Sequence, residues 1–317
     1  MAAPRHQNTF TDYKISRNRA YNAAIEGSVG WISSLPSLND TRLRALQAVD
    51  EMLPELIQQL EDAGERDNTY IFYTTDNGYH ISQHRMNPGK ECGYDTDIHV
   101  PFYVRGPGIE AGGVVDVITT HTDVSSTLLQ IAGVTKLLDG MAIPQGRSGQ
   151  VLEQEEPPRR REHATIEYWG YRNYYLNNTY KGLRLVSEGY SLYYAVWCTN
   201  ETEFYDPKSA YKIAGRPLEQ ILPRLDALMM VLKTCKDKVC LYPWRTLHPD
   251  GKVYDLVDAP DEKFDAFYEA QPKMSFTSCP DAYYLEVENQ EPVKPWVDTQ
   301  EAGQGVTRQH EFDYTLY

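Results

Sequence analysis

Between Thr41 and Ala63 the apolar residues Leu43, Leu46, Val49, Leu53, Leu56, Ile57 and Leu60 recur at intervals of three and four. That period predicts a helix with one apolar face turned to a core. Asn39 or Asp40 is placed to cap its start and Gly64 its end, while Pro54 removes one helical hydrogen bond and predicts a bend. Next, the run from Tyr70 to Thr75 is β-rich and mostly apolar and stops at Asp76-Asn77-Gly78. It predicts a strand buried on both faces that ends in a turn. Val100 to Val104 closes at Arg105-Gly106-Pro107-Gly108, and Val114 to Thr119 reads as a further short strand. Thr122 or Asp123 can cap a short helix through Leu128, Leu129 and Ile131, closed by Gly133. Helix followed by buried strand is α/β grammar, and this stretch predicts the late part of a parallel, helix-covered sheet.

Around residues 136–160 the pattern turns polar and Pro-rich, with EQEEPPRRRE as a charged connector. Beyond it His163 to Trp169, Tyr180 to Val186, Leu192 to Cys198 and Glu203 to Tyr205 are short aromatic strands, which predicts an antiparallel sheet. Leu218 to Thr234 carries a helical apolar stripe through Leu222, Leu225, Leu228, Val231 and Leu232, with Pro223 near its start. The chain after Glu286 is polar and free of repeats, and is expected to be loosely ordered. The organisation expected is therefore 1–155 as part of an α/β core, 156–285 as a smaller α+β subdomain with an antiparallel sheet, and 286–317 as a polar tail.

Charge narrows the function. The formal net charge of -14 over 317 residues gives no general positive field for a nucleic acid or an anionic membrane. No window approaches the length of a transmembrane helix, and MAAPRHQNTF has no apolar centre of a signal peptide. Export is nonetheless indicated by three acceptor triplets for N-glycosylation, at Asn39, Asn177 and Asn200. The cysteines agree: Cys198 with Cys279 and Cys235 with Cys240 make two disulfides possible, with Cys92 left over. An exported protein without an export signal is expected to be preceded by a further N-terminal segment.

At Asp76-Asn77-Gly78 the first strand delivers a carboxylate and an amide carbonyl to the edge of a sheet, and both are hard oxygen donors suited to Ca2+ or Mg2+. By itself the tripeptide is also a good turn. The polar loop that follows holds His80, His84 and Lys90, the last preceded by Gly89, so cations can approach an anion held by the metal.

The whole string TTDNGYHISQHRMNPGKECGYDTDIHVPFYVRGPGI, from Thr74 to Ile109, resembles the second signature region of the sulfatase family. That signature contains a metal-binding Asp-Asn-Gly, a glycine-preceded lysine loop and a Val-Pro strand closing in Arg-Gly-Pro-Gly. The likeness is greatest to fungal-type arylsulfatases and the glucosamine-6-sulfatase branch, and continues through LRALQAVDEMLPELIQQLEDAG, VWCTNETEFYD, PRLDALMMVLKTC and WRTLHPDG. The resemblance implies an alkaline-phosphatase-like α/β fold and Ca2+-dependent hydrolysis of sulfate esters. It makes Asp76 and Asn77 two of the calcium ligands and Lys90 the residue that binds the sulfate ester and steadies the leaving oxygen. His80 becomes a pocket-lining residue and Asp95, where the family commonly has Glu, a support for the loop.

The family's nucleophile is a formylglycine made from Cys or Ser in C-x-P-x-R or S-x-P-x-R, and neither motif occurs in the sequence. The nearest match, Ser34-Leu35-Pro36-Ser37-Leu38, ends in Leu rather than Arg, and the family's Asp-Asp pair is also absent. The chain is therefore expected to be truncated at its N-terminus relative to the family fold and inactive alone. Without the missing segment, unpaired strand edges predict poor solubility or a molten state. A non-catalytic binding protein is the alternative. A phosphodiesterase of the same superfold, using His99 and His121 as further ligands, is the remaining one.

Overall fold

The computed structural model describes residue 5 and residues 43–81, 83–84, 86–115, 118–134, 138–141, 143, 162–170, 177–206 and 212–298. The connector around 144–160, the sequon at Asn39 and the last residues of the polar tail lie outside them.

The first helix, α1, runs Leu43–Asp62 without a break at Pro54, whose side chain points to solvent. It ends as expected: Gly64 takes φ +71°, and Glu65 N–H to Leu60 O (2.9 Å) with Gly64 N–H to Glu61 O (3.0 Å) complete a Schellman cap. Its apolar stripe is not covered. None of the side chains described along α1 is buried, and Leu46 and Leu56 are 49% and 39% exposed.

Strand β1 (Ile71–Thr74) pairs antiparallel with β2 (Phe102–Arg105), Ile71 facing Arg105 and Thr74 facing Phe102. This corrects two expectations. The pair is antiparallel rather than parallel, because the segment between the strands turns back along β1 instead of crossing over it. Nor is β1 buried on both faces: each of its residues is half-buried and Tyr103 of β2 is 67% exposed. No strand forms at the described residues of 114–119. Helix α2 is the short Asp95–Ile98, and α3 spans His121–Ile131. Thr120, not Thr122 or Asp123, is its N-cap. Asp123 Oδ2 accepts from the Thr120 N–H at 2.7 Å, the backward half of a capping box.

The second half is deeper. Strands β3 (His163–Tyr168), β4 (Tyr180–Val186), β5 (Ser191–Trp197) and β6 (Thr202–Tyr205) form one antiparallel sheet in chain order. A two-stranded ribbon, β7 (Lys212–Ile213) with β8 (Arg216–Pro217), leads into α4 (Leu218–Leu232). Period-two alternation splits the sheet's side chains between two layers. Leu183, Leu185, Leu192, Tyr194 and Val196 pack with Ile221, Leu225 and Leu228 of α4. On the opposite face Tyr180, Tyr193, Ala195 and Trp197 meet Met86, Cys92 and Tyr94 of the segment between β1 and β2. The sheet is thus a platform with the core helix below and the candidate site loop above.

Both anticipated disulfides are present, Cys198–Cys279 and Cys235–Cys240, leaving Cys92 as a free, buried thiol. Residues 287–298 depart from the loose tail expected. Trp296 N–H donates to Leu247 O at 2.7 Å, and the Glu288 carboxylate, wholly buried, pairs with Lys181 (3.2 Å) and Lys233 (3.5 Å). Polar composition misled because these residues bind the core through hydrogen bonds and buried ion pairs as well as through a few apolar side chains, Val287, Val293 and Trp296, that pack against it. No described helix is long and apolar enough to cross a membrane.

Candidate functional site

Where β1 ends, the chain needs to turn while another backbone segment comes very close. At Gly78 a side chain would collide with Thr96 O at 2.0 Å. Its absence lets Gly78 N–H reach Asp97 O (2.7 Å) and Tyr79 N–H reach Thr96 O (2.8 Å). The glycine of Asp-Asn-Gly is thus there for close approach rather than for a positive φ. A second clasp, His80 N–H to Gly89 O at 2.9 Å with the reciprocal bond at 3.2 Å, closes the loop that carries Lys90.

These clasps bring three of the expected site residues together. Lys90 Nζ donates to Asn77 Oδ1 at 2.9 Å and lies 3.7 Å from Asp76 Oδ2. All three face solvent at the end of β1: the Asp76 carboxylate is 78% and the Lys90 side chain 52% exposed. The Thr75 hydroxyl and then the Asn77 N–H hold the Asp76 carboxyl below the usual carboxylate range, so it stays ionised. Asn77 fixes its own amide by donating Nδ2–H to Gly78 O (2.7 Å), which leaves Oδ1 outward as an acceptor. Two oxygens of the right chemistry converge with an ammonium between them. They are two donors where Ca2+ takes six to eight, so the described residues fit part of a calcium shell.

His80 is placed differently. Rather than lining a pocket it lies beneath the loop, 1% exposed, with Nδ1 at 2.8 Å from Asp97 Oδ2. Asp97 also accepts from Cys92, from its thiol at 3.0 Å and its N–H at 3.2 Å. His84, at φ +51°, rests on the Tyr94 ring, and burial lowers its pKa. His99 and His121 are exposed and join no cluster with Asp76 among the described residues.

The sheet underneath supplies residues that no local pattern advertised. Glu203 is buried, and accepts from Tyr94 O–H (2.8 Å), Trp197 Nε1–H (3.1 Å) and Tyr205 O–H (3.2 Å). Burial raises its pKa against those three donors, which lower it. Asp95, the expected loop support, reaches Arg184 of β4 at 3.4 Å. Tyr94 also stacks edge-on against Tyr205 and Tyr193. Contacts 109 residues apart in the chain, as between Tyr94 and Glu203, leave no periodic trace in a sequence. The signal available was the strand's polar Glu203 among aromatic neighbours.

A family model described as Sulfatase matches residues 2–134. The sulfatase ppz1 of Metarhizium majus is 39% identical over 312 residues, covering 92% of this chain and 69% of that protein. The arylsulfatase of Volvox carteri is 32% identical, covering 87% of this chain and 49% of its own length. For the N-acetylglucosamine-6-sulfatase of Bos taurus the identity is 30%, over 76% of this chain and 50% of that protein. The chain therefore spans about half the length of the algal and bovine relatives. Among solved structures, one holding its substrate D-glucosamine-2-N,6-O-disulfate is 30% identical, with a TM-score of 0.42 over 52% of this chain and 33% of the other. With that identity sustained across nearly the whole chain to the fungal protein, the chain belongs to the sulfatase family.

Proposed function

We propose that the chain carries one side of a sulfate-ester hydrolysis site, with Asp76 and Asn77 as two ligands of a calcium ion and Lys90 as the residue that engages the ester. The observation that carries this is the convergence of Lys90 Nζ on Asn77 Oδ1 at 2.9 Å and on Asp76 at 3.7 Å, at the end of a strand and open to solvent. A divalent cation at the two oxygens would supply Lewis-acid polarisation of the sulfate oxygens. Lys90, given a tetrahedral sulfate beside it, exchanges its bond to Asn77 for one to the anion and stabilises charge on the departing oxygen. Its position is set by the His80–Gly89 clasp and by Glu91, whose carboxylate accepts the Lys90 N–H at 2.8 Å. His80, buried, supports the loop instead of touching the ester.

The sequence contains no formylglycine motif, so this chain by itself is proposed to be inactive, its site being completed by an N-terminal segment of the same fold. The substrate is a sulfate ester of an aromatic alcohol or a sugar. A secreted or lumenal location is supported by the two disulfides. Of the sequons, Asn177 and Asn200 are both exposed, but Asn200 uses both ends of its amide on Phe276: Oδ1 accepts the N–H at 2.8 Å and Nδ2 donates to the carbonyl at 3.0 Å. Glycosylation is accordingly proposed at Asn177 before Asn200.

The test is hydrolysis of 4-nitrophenyl sulfate by the chain alone and by the chain joined to the N-terminal portion of the Metarhizium relative. The chain alone is expected to show no turnover and the joined protein to turn over. Lys90→Ala in the joined protein is expected to lower kcat/KM roughly 100-fold or more, the scale of losing one charge-stabilising donor. Turnover by the chain alone, or unchanged kcat/KM in Lys90→Ala, would contradict the proposal.

A further inference from the structure

The group beneath the Lys90 loop has no part in the chemistry above, yet its composition is that of a metal site. Nδ1 of His80, Sγ of Cys92 and a carboxylate oxygen of Asp97 all lie within 4.8 Å of one another, and all three residues are buried. The separate distances are 2.8 Å from His80 to Asp97, 3.0 Å from Cys92 to Asp97 and 3.8 Å from Cys92 to His80. A triangle with those edges has a point roughly 1.9 Å from every corner. Zinc sits at ~2.0–2.3 Å from nitrogen, oxygen and sulfur ligands, slightly above the plane of any three of them. The cluster therefore needs outward shifts of only a few tenths of an ångström to become one face of a tetrahedral shell.

We propose that His80, Cys92 and Asp97 bind a divalent transition-metal cation of the zinc class beneath the loop. Hard cations are disfavoured by the thiolate and imidazole, which select a softer ion. Charge balance agrees: a neutral imidazole, a thiolate and a carboxylate cancel the two positive charges, so the buried complex carries no net charge.

Two further features fit that use. The second nitrogen of His80, Nε2, faces the Glu91 carboxylate at 3.8 Å, the outer carboxylate partner that commonly sets the tautomer of a ligating histidine. Gly89 makes room for it: a side chain there would meet Glu91 Oε2 at 2.2 Å and His80 Nε2 at 3.0 Å. In addition, His84 Nδ1 is buried without a hydrogen-bond partner and its imidazole feels the charges of His80 and Asp97. His84 stands outside the converging group, and the proposal rests on the three. Hydrogen bonding alone accounts for Asp97, which already satisfies the Cys92 thiol and N–H, His80 and the Thr96 hydroxyl (3.1 Å).

Binding forms bonds from the metal to Nδ1, Sγ and the carboxylate oxygen. The thiol proton passes to solvent, and the imidazole proton resides on Nε2 toward Glu91. Affinity must therefore fall as pH is lowered. The proposal is independent of the sulfate-ester function, because none of its three ligands touches Asp76, Asn77 or Lys90.

The test is titration of the chelator-treated full chain with Co2+, followed by absorption. One equivalent per chain is expected, with a near-ultraviolet thiolate-to-cobalt charge-transfer band that Zn2+ abolishes and excess Ca2+ leaves in place. Cys92 is the one cysteine outside a disulfide, so the band reports this site alone. Cys92→Ser should remove it, and Asp97→Asn should weaken cobalt binding ~10-fold or more. If either variant fails to fold, the unmodified chain still decides. Absence of stoichiometric cobalt, cobalt bound without the band, or a band surviving in Cys92→Ser would each overturn the proposal.

Discussion

The two halves of the chain bury their apolar residues to very different depths. Along α4 ten residues are buried, including Ile221, Leu225 and Leu228 at 0% exposure, whereas none of the side chains described on α1 is buried. Both helices show a clear apolar stripe in the sequence. What separates them is a partner: α4 lies on the four-stranded sheet, while β1 and β2 make a two-stranded ribbon, which is marginal by itself. Among the described residues of the first half the buried apolar side chains are Ile81, Met86, Cys92 and Tyr94, and the C-terminal sheet receives the last three of them. The candidate site loop is thus held by the half of the molecule that contains none of Asp76, Asn77 and Lys90.

The contrast can be broken by substitution. The largest effect is expected at the disulfides. Cys198–Cys279 spans 81 residues and Cys235–Cys240 five, so by loop-closure entropy removing the first, as Cys198→Ala with Cys279→Ala, should cost about 4.5 kcal/mol and removing the second about 2 kcal/mol. Chemical denaturation of the two double variants measures the difference. Next, Leu228→Ala in the fully buried layer is expected to cost about 3 kcal/mol, against under about 0.5 kcal/mol for Leu56→Ala on the open stripe of α1. Equal losses would mean that α1 is covered in solution.

Glu203→Ala tests the join between the halves. It strands the hydroxyls of Tyr94 and Tyr205 and the Trp197 N–H, and is expected to cost about 2 kcal/mol. Limited proteolysis should then cleave within 80–97 before the sheet. A further effect is one of pH. Glu162, buried against Tyr190 with Trp244 Nε1–H at 2.8 Å and Leu256 N–H at 3.0 Å, has its carboxyl pushed up to about 7 by burial. A folded-state pKa above the unfolded one gives stability that is full below about 4.5 and is lost as pH rises through 7. Glu162→Gln keeps the shape and should flatten the fall of Tm over that window. An unchanged slope would assign the pH dependence elsewhere.

Much of the second half was legible because a strand's alternation and a helix's period are local signals. Tyr180–Val186 appears at the bounds its pattern predicts, and the α4 stripe is the one that packs. The first half was less so, since strand direction and burial depend on what lies beside β1, and nothing in its four residues specifies that. In the site, Asp76, Asn77 and Lys90 were visible as a motif and do converge. His80 was misplaced because its partner Asp97 is 17 residues away and the clasp that buries it is made by backbone atoms.

Hydrogen–deuterium exchange on the intact chain tests the central claim directly, that the site loop is anchored by the C-terminal sheet. The account predicts slow exchange in β4, β5 and α4, comparable protection for the Cys92, Asp97 and Ile98 amides, and fast exchange along α1. Loop amides exchanging as quickly as those of α1, with the sheet still protected, would contradict it.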